Sequence, residues 1–223
     1  MMTRISALAL GCMLAGTAYA QAPATDAAPA PDAAAPAAAA PAANSTAAPA
    51  QDAAISGTYQ FDPNHSQVVF RWDHMGFTDV HGFVNGVTGT IVLDEADPSK
   101  STVEASFPLS AIRTSSEKLD GELITEFFKG KPDDMVTFKS TSVVKEDDDE
   151  AKVTGDLTMN GVTKPIILDV ELNKFAPNPM NQTPTVGFKI DGEFNRSDFG
   201  LGMMVPAVSD EIEIDITVEA AKQ

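Results

Sequence analysis

Beyond residue 55, apolar and polar positions alternate with period two. In SQVVFRWDHM, residues 66–75, Val68, Phe70, Trp72 and His74 fall on one side. Gln67, Arg71 and Asp73 fall on the other, and only Val69 breaks the pattern. Such alternation marks a strand with one buried and one wet face. It recurs at Ile91 and Leu93, and at Val103, Ala105, Phe107 and Leu109. It returns at Val136, Phe138, Ser140, Ser142 and Val144, and at Val153, Gly155, Leu157 and Met159. Further stretches run through Ile166, Leu168, Val170 and Leu172, then Val186, Phe188, Ile190 and Phe194. The last carries Ile212, Ile214, Ile216 and Val218. Asn160-Gly161 predicts a two-residue hairpin. The acidic run Glu146 to Glu150 lacks the ligand spacing of a calcium loop and reads as a solvated hairpin turn. Parallel strands covered on both faces would not alternate so cleanly. About eight such strands predict an all-β fold, either a sandwich or a closed barrel.

One segment departs from period two. In SSEKLDGELITEFFKG, residues 115–130, Leu119, Leu123 and Phe127 recur every four residues, with Ile124 and Phe128 beside them. This predicts one helical stripe, capped at Ser115 or Ser116 and ended by Gly130 and Pro132. Gly121 weakens the helix by roughly 1 kcal/mol relative to alanine, so the helix depends on packing against the strands.

Composition divides the 223-residue chain in three. Residues 1–20 combine Arg4, an apolar run and Ala18-Tyr19-Ala20, which predicts a signal peptide cleaved after Ala20 and a periplasmic product. A lipoprotein reading through Cys12 is the alternative. Cys12 is the only cysteine, so the product would hold no disulfide. Residues 21–54 are almost wholly Ala, Pro and small polar residues, which predicts a disordered, semi-rigid linker. Residues 55–223 suffice for one domain with a substantial core. That part has 29 acidic and 14 basic residues, a balance of −15. Nucleic acid and anionic membrane surfaces need clustered positive charge, so neither is expected as a partner.

Catalytic signatures are missing. No nucleophile elbow, phosphate loop or dinucleotide fingerprint occurs. Nearly all the carboxylates fall on outward strand positions or in turns, and none stands in an evident water-poor site of the kind acid–base work needs. The histidines are His65, His74 and His81. His65 and His74 are nine residues apart and point to opposite faces of a strand. With no cysteine beside them, no metal site is expected. His74 is expected buried at a cavity end, and His81 in a turn.

GDLTMNGVTKPIILDVEL, residues 155–172, closely resembles the signature hairpin of the YceI-like family. HSQVVFRWDHMGFTDVHGFV resembles the family's first long strand and turn. EFFKGKPDDMVTFKSTSV resembles the exit from its helix, and FNRSDFG the approach to its last strand. The segments stand in the family's order and cover about 57–220. The resemblance implies an eight-stranded antiparallel, lipocalin-like β-barrel with a helical insertion, exported to the periplasm. It also implies a long apolar ligand in the barrel, polyisoprenoids and isoprenoid quinones among them. The family often has Arg-Asp-x-His-Leu-Arg in its helix, where this chain has Leu119-Asp120-Gly121-Glu122-Leu123-Ile124. Both arginines and the histidine are replaced, which disfavours a pyrophosphate-bearing ligand relative to a neutral one.

In such a barrel the inward face of SQVVFRWDHM either packs a filled core or lines a cavity. For the cavity, the expected ligand-contacting residues are Phe70, Trp72, His74, Phe107, Leu123, Phe127, Phe138, Ser140, Met159, Leu168 and Phe188. Ser140 and Ser142 would offer hydroxyls to a ligand or, equally, to neighbouring backbone. No cofactor is required; a bound isoprenoid lipid or quinone is the expected small molecule. Related domains fused to membrane cytochromes make an envelope or membrane electron-transfer partner compatible with the resemblance. A homodimer is equally compatible. A filled barrel would instead serve as a non-enzymatic envelope interaction module.

Overall fold

The structure, a computed structural model, describes residues 55–223. The signal peptide and linker expected from the sequence lie outside the described residues.

Eleven strands form one antiparallel sheet: β1 (Gly57–Phe61), β2 (Gln67–His74), β3 (Thr78–Asn85), β4 (Thr88–Leu93), β5 (Thr102–Pro108), β6 (Ile112–Thr114), β7 (Met135–Lys145), β8 (Glu150–Met159), β9 (Val162–Pro177), β10 (Pro184–Asn195) and β11 (Glu211–Lys222). They follow only eight paths. β1 and β2 both pair with β11, at Ala220 to Lys222 and at Glu213 to Thr217. β3 and β4 continue one another past Gly86, pairing with β2 and β1. β5 and β6 likewise pair with β4 and β3. Counted as paths, the sheet is a closed, eight-stranded antiparallel barrel, as the resemblance implies; of the two folds the alternation allows, the sandwich is ruled out. Closure leaves only short stretches such as the outer side of β6 without a strand partner, and so suits strands with one greasy face.

Local chemistry sets the turns. Asn160 and Gly161 take φ of 51° and 71°, the pair of left-handed residues that a tight hairpin requires. The acidic run forms the turn from β7 to β8, where the Glu146 amide donates to the Glu150 carbonyl. Tyr59, Val84, Val186 and Phe199 are the largest fully buried side chains.

The helix is shorter than its stripe predicts. α1 covers only Glu117–Glu122, with the Ser116 hydroxyl accepting from the Leu119 amide at 3.4 Å. The chain then widens into a π-helical turn, Leu123–Phe127, closed by the Phe128 amide donating to the Leu123 carbonyl at 2.9 Å. Apolar residues three and four apart satisfy either geometry, so the periodicity cannot separate them. His81 is also placed differently. It lies within β3, outward and opposite Arg71, not in a turn.

Candidate ligand cavity

The inward side chains leave a lumen of about 760 Å³ inside the barrel. That size is typical of small-molecule pockets. β2 contributes Val68, Phe70, Trp72 and His74 to its wall, and Phe70 stacks on Trp72 with centroids 5.9 Å apart. Phe107 of β5, Phe138 of β7, Met159 of β8, Leu168 of β9 and Phe188 of β10 also face it. Leu123 and Phe127 reach it from the π turn. Ten of the eleven residues singled out from the sequence therefore share one surface.

Ser140 does not. A bulge between Ser140 and Ser142 shifts the register against β8. The Ser140 hydroxyl accepts the Val103 amide at 2.9 Å, so it satisfies backbone and is not offered to the lumen. Beyond the bulge the faces exchange. Val143 lines the cavity, Ser142 is exposed, and Val144 turns outward at 56% exposure. His74 also differs from expectation. It contributes to the lining but is exposed, at a mouth and not in a buried end.

Two glycines let the aromatic rings lie flat against the wall. A Cβ on Gly82 would stand 2.1 Å from the Phe70 ring, and one on Gly155 would stand 2.2 Å from the Phe138 ring. Without them the rings would have to move.

Polar groups are sparse in the lining, and several are already used. Ser66 is buried and bonded to Glu219 backbone. Arg196 is the one buried charge among the described residues, and the sequence gives no sign of it beyond its place in FNRSDFG. Its guanidinium donates to the carbonyls of Ser209 (2.8 Å), Met203 (2.9 Å), Val208 (3.1 Å) and Leu201. The loop after β10 is thus wrapped around one side chain, and it brings Leu201, Met204 and Val208 to the lumen. Burial lowers the pKa of Arg196, while the negative charge of Asp210 opposes the shift. The remaining charged lining group is Glu122, which ion-pairs with Lys118 at 3.3 Å. β6 runs antiparallel to β3, so the chain leaves Thr114 toward the end where the β2–β3 hairpin and His74 lie.

Outside the barrel, His65 Nδ1 lies 2.7 Å from Asp62 Oδ2, with Glu219 beside them. Asp62 raises the pKa of His65 through this hydrogen bond, and His65 lowers that of Asp62.

The arrangement can enclose an apolar molecule and expose one end of it to polar groups at a rim. Its fold is shared with solved structures. Burkholderia cenocepacia BcnA superposes with a TM-score of 0.63 at 18% identity, covering 71% of this chain and 98% of that one. A polyisoprenoid binding domain from Saccharophagus degradans gives 0.58 at 12% identity, covering 74% and 98%. The Campylobacter jejuni YceI protein gives 0.59 at 28% identity, covering 68% and 90%. In sequence, Protein YceI of Salmonella arizonae is 33% identical over 174 residues, 77% of this chain and 90% of that protein. A UPF0312 protein of Pectobacterium atrosepticum is 32% identical with the same coverage. The YceI-like domain itself matches residues 59–220, from the first strand of the barrel to the last. Barrel, hairpin and order of segments agree along that whole span, and the chain belongs to the YceI-like family.

Proposed function

We propose that the protein is an exported, periplasmic carrier that holds a long apolar molecule, an isoprenoid quinone or a similar neutral isoprenoid lipid, in its lumen. The carrying observation is the cavity of about 760 Å³, walled by apolar side chains from β2, β5 and β7 to β11. Burying a chain there is favourable by about 0.8 kcal/mol per methylene, enough to offset the entropy of ordering it. The likeness to a polyisoprenoid binding domain supports this chemistry. No free cation faces the lumen among the described residues: Arg196 is spent on four carbonyls, and the other charged lining residue, Glu122, is acidic and already paired with Lys118. A neutral headgroup fits that lining better than a phosphate. The reading is non-catalytic, because binding requires only burial and shape.

Lipid extraction from purified protein followed by mass spectrometry tests the reading. A stoichiometric long-chain species is expected in repeated preparations. In parallel, Trp72 faces the lumen and is the only tryptophan, so long-chain quinones should quench its emission saturably. No extractable lipid together with no saturable quenching would leave a barrel that acts only as an interaction module.

A further inference from the structure

The histidine spacing predicts no metal site, yet the fold builds a three-donor cluster at the seam where the barrel closes. β11 pairs with β1 at Ala220 to Lys222 and with β2 at Glu213 to Thr217. Between those pairings the chain turns a corner through residues 62–66, and Glu219 lies opposite it. The Asp62 amide donates to the Glu219 carbonyl at 2.8 Å. The Ser66 hydroxyl bonds both the carbonyl and the amide of Glu219, each at 3.2 Å. One residue of β11 thus anchors both ends of the corner.

The side chains converge on the same place. Asp62, His65 and Glu219 each offer a ligand atom, and these atoms lie within 4.8 Å of one another. The Asn64 amide donates to Asp62 Oδ1 at 2.8 Å, and the His65 amide to the Asp62 carbonyl at 3.1 Å, so the donors stand on a fixed turn. Two carboxylates held this close repel unless a cation lies between them. The three donors occupy one side of such a cation and leave its remaining positions to water.

We propose that Asp62, His65 and Glu219 bind one divalent transition-metal ion of the zinc class, which clips the corner between β1 and β2 onto β11. Imidazole with two carboxylates suits zinc, copper or nickel, whereas magnesium and calcium favour all-oxygen sets. Metal–ligand bonds of about 2.0–2.2 Å hold tetrahedral donors about 3.4 Å apart, so on binding His65 Nδ1 and Asp62 Oδ2, now 2.7 Å apart, release their shared proton and separate slightly to admit the ion beside Glu219. The competing account makes protonated His65 the only cation, with its proton bridging to Asp62.

Calorimetric titration of the untagged full chain with zinc chloride, after exhaustive chelation, decides between them. A single saturable site is expected, with a higher melting temperature in the presence of zinc. The His65 side chain is 65% exposed, so His65→Ala leaves the fold intact by circular dichroism and abolishes the zinc heat. Glu219→Gln weakens it, and His81→Ala does not change it. Magnesium should give no comparable heat. Absence of saturable zinc binding overturns the proposal, and so does binding that survives His65→Ala.

Discussion

Single side chains hold much of this barrel in place, and two of them can be tested by titration and mutation. Tyr59 is fully buried, and its hydroxyl donates to the Ile55 carbonyl at 2.6 Å. Burial, with the negative charge of Glu95 adding to it, raises the pKa of its phenol above the ordinary 10.0. An unfolded chain would ionise Tyr59 first. Its contribution to stability is therefore intact below about pH 10 and lost as pH climbs through the folded-state value. The only other tyrosine is Tyr19, so a chain starting at residue 21 reports Tyr59 alone. Its phenolate absorbance should appear at higher pH in buffer than in urea, and identical midpoints would contradict the assignment. Arg196 is a second such residue. Arg196→Met leaves four carbonyls without their donor and should destabilise the domain by about 3 kcal/mol or more, read from urea unfolding. A change below about 1 kcal/mol would mean that water replaces the guanidinium at little cost.

At the level of elements, glycine and aromatic positions on neighbouring strands set the width of the lumen. Gly82→Ala should displace the Phe70 ring from the β3 wall and disturb its stack on Trp72. The expected outcome is a changed Trp72 emission and weaker quenching by long-chain quinones, with strand content retained by circular dichroism. Unchanged quenching would show that the ring has another place to go. Phe138→Asp should weaken the same binding by placing a carboxylate against the apolar wall, provided that its circular dichroism stays native. Strands and hairpins were legible in the sequence because each has one wet face, and alternation reports faces directly. The bulge was not. Ser140, Thr141 and Ser142 are all small hydroxyl residues, so an exchange of faces among them leaves the pattern unaltered. The π turn hid for a related reason, since Leu123, Phe127 and Phe128 suit two helical periods. Arg196 was invisible because nothing local marks an arginine as buried. The cluster at the seam joins residues more than 150 positions apart, beyond the reach of any local pattern.

Seen whole, the domain from residue 55 carries the core, and a chain beginning there should melt close to the temperature of a chain beginning at residue 21. Residues 21–54 contain no large apolar side chain to contribute to that core. A large drop in melting temperature would assign them a packing role. N-terminal mapping of the protein purified from cells that express the full sequence tests the proposed cleavage after Ala20; a lipid-modified Cys12 would contradict it. The closure of the sheet also has a consequence in time. β11 completes the barrel by pairing with both β1 and β2, which pair with β4 and β3 on their other sides, so the first strands gain their second partner only when residues 211–222 have been made. Such long-range pairing is slow to form, because the loop between these strands must close before their contacts repay its entropy. A nascent chain that stops before residue 211 leaves the lumen open along one wall. Cargo binding and the last gain in protection from proteolysis should therefore arrive together, once residues 211–222 have been made.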